Sequence, residues 1–458
     1  MRLKRVFIFP LILLAVMAFS VTAMAMDADP APGEEQAVSA MDDYTGDIDL
    51  ERAVKRALEL NPQMTAIRAQ LTGSQFGTRS AFGNFLPEVG GSYGYTNYGR
   101  RLTSTTRRHD DWVANVNVTQ PIFKGFNLLA TWQRAKLTEE SNQASLDNVE
   151  LTLISSVQSN FLSLLKARMD VKSAEDSVAR LESQLKVISA FYEVGLRPKA
   201  EVLDAEVDLA TARQDLLTAK NSVSTQMAQL NTLLNIPLEA DANYVGQLKD
   251  FPFSLTLQDC LSRAYKSRPD LIIGKKSVEI AEKDSTIAAS SFYPSVEGEW
   301  NYYNKGVDAG LSRDGVYPYT SKEYYTVGVT ASMTLFEWGA DYYDYKKAEE
   351  NVKQVEAQLE ETRLNAGFEV KTALLNINEA ADRIEVAKKS VAAAEEAYRM
   401  AVARYQAQVG TNTDVLNAQS RLTTSEAQLS QALADYGTSV STLFVAMGEK
   451  NLGLNKAE

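Results

Sequence analysis

YEVGLRPKAEVLDAE at 192–206 and YQAQVGTNTDVLNAQ at 405–419 are two versions of one turn. Tyr192 matches Tyr405, Val202 matches Val415, Leu203 matches Leu416 and Ala205 matches Ala418, all at a separation of 213 residues. Each version interrupts a helical pattern and then restarts it. A turn written twice marks a duplicated unit, and the extent of that unit follows by carrying the comparison outward.

Toward the N-terminus, ALELNP at 57–62 corresponds to AYKSRP at 264–269 and FLP at 85–87 to FYP at 292–294, both 207 residues apart. From IFKGF (122–126) and LFEWG (335–339) the separation becomes 213 and holds as far as Leu230 and Leu443. The six-residue difference therefore falls between positions 87 and 123, as expected of a loop, which absorbs length changes that packed elements do not. The halves run over about 48–236 and 255–449, with a connector at 237–254 and a C-terminal tail at 450–458. Each half reads as a helix, a strand pair, a very long helix, the turn, and a second helix.

The long helix of the first half, about Phe126 to Glu193, contains no proline or glycine; its counterpart, about Asp341 to Gln408, contains only Gly367. Some 68 residues at ~1.5 Å each make a rod on the order of 100 Å. Apolar residues recur along it by threes and fours: Val171, Ala174, Val178, Leu181, Leu185 and Ile188 in one half; Val370, Leu374, Ile377, Ala381, Ile384 and Ala387 in the other. The pattern resumes after each turn, as in Val202, Ala205, Leu209 and Ala212. These are antiparallel coiled-coil seams.

The strands alternate cleanly. Strands are expected at about 88–98, 112–121, 295–304 and 324–335, and in each one face is apolar and aromatic while the other is polar. Trp112 and Val116 share a face in the second strand, Trp300 marks it in the third, and Tyr325 and Val329 share it in the fourth. Segments of about ten residues with one lipid-compatible face are the signature of membrane β-barrel strands, so these five residues are read as lipid-facing. In a bilayer a sheet must close on itself, because unpaired amides cost several kcal/mol each in lipid. Four strands cannot close, so copies must assemble. Two copies give eight strands and a filled lumen, three give twelve and room for a channel, and the polar inner face favours the larger number.

Residues 1–25 fit a cleaved export signal: Arg2, Lys4 and Arg5 precede an apolar run from Val6 to Val21 that ends at Ala23-Met24-Ala25. Loss of those three cations takes the formal charge from -12 to -15, which argues against nucleic acid as a partner. Residues 26–47 hold seven acidic side chains and no basic ones, a flexible leader. With one Cys (Cys260) and one His (His109) in the whole chain, the usual nucleophile and metal constellations cannot be assembled. No catalytic residue, metal site or cofactor is expected, and the protein is not read as an enzyme.

Taken together, the NP and RP near the start of each half, FLP and FYP before the strands, IFKGF and LFEWG ahead of the long helices, and the two tyrosine-bearing turns resemble the TolC-like outer membrane factors of Gram-negative bacteria. The resemblance covers about residues 48–449. It implies a homotrimer in which a 12-stranded β-barrel in the outer membrane stands on a 12-helix α-barrel that crosses the periplasm. It also implies a periplasmic adaptor (membrane fusion) protein, an inner-membrane transporter and outer-membrane lipid as partners, in an efflux pump or a type I secretion system. The two turns become periplasmic tips. Gly195, Leu196, Pro198, Gly410 and Thr411 are the expected adaptor contacts.

By the same resemblance Asp414 matches a carboxylate of a constricting ring, and Tyr405 a tip tyrosine that bonds to the neighbouring hairpin. The chain departs from the pattern at Asn417, where a second acidic ring residue stands in the family, and at Gly410, where family members can carry arginine. Its first half instead supplies Arg197, with Glu201 and Asp204 nearby and Tyr192 at the equivalent of Tyr405, so the latching network is expected to be redistributed between the hairpins. The competing reading is a periplasm-spanning coiled-coil or adhesin-like stalk without a conduit.

Overall fold

The computed structural model describes residues 46–98, 110–306, 308–311 and 323–454. The export signal, nearly all of the acidic leader and most of both outer loops, including Arg100, Arg101, Arg107, Arg108 and His109, lie outside the described residues. In chain order the first half comprises α1 (Leu50–Leu60), α2 (Pro62–Gly83), β1 (Glu88–Asn97), β2 (Asp110–Lys124), α3 (Asn127–Glu193) and α4 (Lys199–Leu233). The second comprises α5 (Leu257–Ser267), α6 (Pro269–Ala289), β3 (Ser295–Gly306), β4 (Glu323–Ser332), α7 (Ala340–Gln406) and α8 (Asn412–Met447), with a short 3-10 turn at Ser290–Phe292.

One helix was expected ahead of each strand pair, and there are two. The cause is the NP and RP motifs: a residue before proline is pushed out of the helical region, and Asn61 and Arg268 both sit in extended backbone while the proline opens the next helix. The corner serves a second purpose. Asn61 donates from Nδ2 to the carbonyl of Leu233 at 2.9 Å, and Arg268 donates from Nη1 to the carbonyl of Ala446 at 3.2 Å. Each therefore satisfies an orphan carbonyl at the end of the last helix of its own half. Residue pairs related by the repeat thus make related contacts in space.

The long helices α3 and α7 are 67 residues each, which at ~1.5 Å per residue spans about 100 Å. Each enters through a left-handed pair, Gly125 and Phe126 before α3, Trp338 and Gly339 before α7. Gly125 is required there twice over, since a Cβ on it would lie 2.5 Å from the Ser290 carbonyl oxygen. α3 pairs with α4 and α7 with α8 as coiled hairpins, and α3 also lies along α8. Of the expected seam residues Leu181, Ile188, Val370, Leu374, Ile377, Ile384 and Ala387 are buried, but Ala381 is exposed and Ala380 takes its place. A 3.6-residue period allows either residue over one turn, and the partner helix decides.

Two large apolar clusters lie where the short helices and the connector meet the middle of the rods. Phe161, Leu230 and Tyr244 belong to one; Cys260, Ile377 and Leu443 belong to the other. Residues 237–254 carry no helix. They are tied to the start of α1 by a single parallel bridge, with Ile48 N–H donating to the Asn243 carbonyl and Val245 N–H to that of Ile48, both at 2.9 Å. The segment after α8 packs here too: the Asn451 carbonyl accepts from Gln158 Nε2 at 2.5 Å and Leu454 is buried.

The four strands form one antiparallel sheet in the order β1-β2-β3-β4. β4 stops at Ser332, three residues short of the expectation, because its partner β3 begins at Ser295, directly opposite. Both outer strands, β1 and β4, end the sheet with an unpaired edge.

Candidate functional site

Cross-strand partners share a face of a sheet, so the register tests the expected strand faces directly. Trp112 pairs with Tyr95, Val116 with Tyr302, Val118 with Trp300, Tyr302 with Tyr325 and Gly298 with Val329. Trp112, Val116, Trp300, Tyr325 and Val329 therefore stand on one continuous face. The other face carries Ser92, Asn115, Asn117, Glu299, Asn301, Thr326 and Thr330. In a single chain Tyr325 and Val329 are exposed.

The second concentration of expected residues is at the far ends of the rods. Both turns close as Schellman motifs: Leu196 N–H reaches the Phe191 carbonyl and Gly195 N–H that of Tyr192, both at 2.9 Å, while Val409 N–H reaches Arg404 and Gln408 N–H reaches Tyr405, both at 3.0 Å. The left-handed position of the first turn is Gly195, with φ 78°. In the second turn it is Gln408, with φ 62°, so a residue with a Cβ holds a conformation that favours glycine.

The helix starts after the turns differ in a way that divides the acidic residues between two tasks. Thr411 caps α8, its hydroxyl accepting from Asp414 N–H at 3.2 Å, and Asp414 Oδ2 accepts in return from the Thr411 N–H at 3.0 Å and hydroxyl at 2.8 Å. This is a capping box. The Thr411 backbone and hydroxyl donors hold the Asp414 carboxyl below the usual carboxylate range, against desolvation, with a lesser contribution from Arg404. Pro198 stands at the equivalent cap of α4 and has no side-chain oxygen to offer. Glu201, the counterpart of Asp414 in the repeat, is consequently free to reach elsewhere.

Glu201 reaches the other hairpin. Its Oε2 accepts from the Tyr405 hydroxyl at 3.2 Å, and its Oε1 lies 3.4 Å from Arg197 Nη1. The Arg197 guanidinium lies 5.1 Å from the centre of the Tyr405 ring, and its Nη2 donates to the Gly410 carbonyl at 3.4 Å. Tyr405 is fully buried with Ile188, Ala205 and Val415. Burial, and then the charge of Glu201, push its phenol up to about 12. Arg197, Glu201, Tyr405 and Gly410 thus form one polar cluster that fastens the first tip to the second within a chain. Tyr192, Asp204, Leu196, Asp414 and Asn417 are exposed, and Asp414 and Asn417 lie on one face of α8, three residues apart.

Sequence reasoning missed the seam between hairpins. From the tips upward, α3 and α8 are joined by polar pairs, the first two buried and the others half-buried: Gln184 with Asn412 at 3.0 Å, Ser177 with Gln419 at 3.1 Å, Ser173 with Glu426, and Ser155 with Ser441 at 3.0 Å. Apart from Glu426, whose carboxylate also lies 3.5 Å from Arg180, each of these side chains is neutral, and on a long helix such residues read as part of the solvated face. Among the described residues there is no cluster of metal-ligating side chains and no helix long and apolar enough to cross a membrane.

The family model described as outer membrane efflux protein matches residues 53–235 and 260–449. The chain is 24% identical over 403 residues to the outer membrane protein TolC of Vibrio cholerae, covering 86% of this chain and 89% of that one. It is 22% identical to the alkaline protease secretion protein AprF of Pseudomonas aeruginosa, covering 84% of this chain and 82% of the relative. Among solved structures, the outer membrane protein VceC of Vibrio cholerae superposes with a TM-score of 0.76 at 20% identity, over 87% of this chain and 96% of that one.

Proposed function

We propose, for a chain that belongs to the outer membrane efflux protein family, that it is the outer-membrane exit duct of a Gram-negative efflux pump or type I secretion system. It receives substrates from an inner-membrane transporter and a periplasmic adaptor and delivers them outside the cell. The observation that carries this reading is one sheet with a continuous apolar face and two unpaired edges, standing at one end of helical rods about 100 Å long.

In the complete assembly three copies supply twelve strands and twelve rod helices, the apolar face meets lipid, and the polar face lines water. Residues 1–25 are the removed signal, 26–47 a flexible leader, 48–236 and 255–449 the two halves, 237–254 part of a belt around the tube, and 450–458 the tail. The tips are the gate. Arg197, Glu201 and Tyr405 latch hairpins; Asp414, with Asn417 beside it, faces the axis; Tyr192 and Asp204 border the neighbouring tip. Gly195, Leu196, Pro198, Gly410 and Thr411 meet the adaptor.

The duct is tested by isolating the mature protein from cell envelopes, weighing it in detergent and recording from planar bilayers. Outer-membrane fractionation, a mass of three chains and ion conductance are expected. A water-soluble monomer that conducts nothing would refute the reading and favour a stalk.

A further inference from the structure

Where the connector and the chain after α8 cross the rods they leave a cavity of about 580 Å³, within the ~300–1,000 Å³ of sites that hold one small molecule. Phe161, Leu162 and Leu165 of α3 and Leu433 and Gly437 of α8 line it from the rods. Residues 245–249 and Phe251 of the connector, the start of α1, and Gly453 with Leu454 supply the rest. Both hairpins therefore contribute walls, and every lining residue belongs to one chain.

Glycine keeps two of its walls thin. Gly437 lies within α8, where glycine is an unfavourable helix residue, and a Cβ there would come 2.8 Å from Leu162 Cδ1. On the connector, a Cβ at Gly246 would lie 3.0 Å from Phe161 Cε1 and 3.1 Å from Leu165 Cδ1, so a side chain grown from this position points into the cavity. Phe161, Leu162, Leu165, Leu433 and Leu454 are all buried, and apolar walls of this kind hold water poorly while accepting apolar ligands.

The charges around the cavity select the ligand. Asp49 accepts from the Arg52 backbone N–H at 2.8 Å and Glu51 pairs with Lys55 at 2.7 Å, so both of these carboxylates are already engaged. On the connector Asp250 is taken by Lys388 at 2.6 Å, and Lys249 beside it, which lines the cavity, has no carboxylate partner among the described residues. One uncommitted cation beside apolar walls calls for one negative charge on an apolar body. We infer that the cavity binds a single-chain amphiphilic carboxylate, of the fatty-acid class, with its headgroup at Lys249 and its chain against Phe161 and Leu165. A doubly charged phosphate monoester would leave one charge unmatched. Because the walls come from both hairpins, the ligand binds while α3 and α8 stay together, and it favours that arrangement.

The test uses decanoate carrying a diazirine at the far end of its chain, photolysed with the full mature chain in lipid nanodiscs and followed by peptide mapping. Label is expected on the α3 peptide around Phe161 and Leu165 or the α8 peptide around Leu433. Plain decanoate should compete for it, decanol about tenfold less well, and decylamine not at all. Lys249→Gln, which leaves the walls intact, should cut labelling about tenfold and make decanoate and decanol equal competitors. Gly246→Val fills the cavity and should abolish labelling. No label on these two helices, or label there that decylamine displaces as well as decanoate does and that neither variant weakens, overturns the inference. If Gly246→Val fails to assemble, Lys249→Gln decides alone, and labelling at the parent's strength is the refuting result.

Discussion

Replacing Tyr405 by phenylalanine removes a single oxygen from a ring that is otherwise wholly buried, so the packing with Phe191, 6.0 Å away between centroids, is kept. What is lost is the hydroxyl donated to Glu201 at 3.2 Å. Hydrogen bonds to charged groups contribute ~1.5–3 kcal/mol. This one is long for O–H···O and the Glu201 side chain is 24% exposed, so ~1 kcal/mol per chain is the appropriate figure. If three latches part together, ~3 kcal/mol separates closed from open, and the open population rises on the order of a hundredfold. Single-channel recording at fixed voltage reads that population directly. Arg197→Ala, which removes the cation above the ring together with its contacts to Glu201 and the Gly410 carbonyl, should shift it similarly. The double variant should fall short of the sum, because both residues share Glu201. If both single variants assemble and melt like the parent and also open no more often, the cluster fastens nothing.

Three further outcomes are expected. Gln408→Gly relieves the left-handed glutamine at φ 62° and should steady the second tip by ~0.5–1 kcal/mol, slowing amide exchange at Val409 and Thr411 about threefold; faster exchange would show that the glutamine side chain matters more than its backbone. Asp414→Asn keeps an acceptor for the Thr411 donors while removing the charge, so it should lower cation preference in the conductance without loosening the tip, and unchanged selectivity would leave Asp414 a helix cap alone. Because the Asp414 carboxyl is held below its ordinary 3.8, its capping contribution is complete above that value and is lost only as pH falls further; a tip that loosens near neutrality must be responding to another group. Pro198→Thr should draw Glu201 into a capping box of its own, worth ~1 kcal/mol to α4, and should raise the open population by taking Glu201 from Tyr405.

How much of this was legible in the sequence depended on whether the deciding force is local. A period of two with aromatic and β-branched residues, and 67 residues without proline or glycine in α3, each declare an element without reference to anything distant. The split at Asn61-Pro62 is also local, yet it is hidden, because the polar and apolar pattern continues across it. Ala380 rather than Ala381 is buried since the facing helix chooses between adjacent positions that the period leaves equivalent. Arg197 could be seen as a cation displaced into the first turn, but not as one lying over Tyr405, 208 positions away in the chain.

The polar seam between α3 and α8 was the least legible feature, and the reason bears on how the duct works. Within each hairpin Leu, Ile and Ala interdigitate, and separating them exposes apolar surface at ~25 cal/mol per Å². Between hairpins of one chain apolar groups such as Ile188, Tyr405 and Val415 are interspersed with polar pairs of Ser, Gln, Asn and Glu, whose partners water can replace at a net ~0.5–1.5 kcal/mol each. If the tips gate the duct as proposed, opening without unfolding needs seams that part at lower cost than the hairpins do. Residues suited to parting in water are the same residues that populate an exposed helix face, so the polar part of this seam is written in the vocabulary of surface, and only the geometry of the folded chain distinguishes the two.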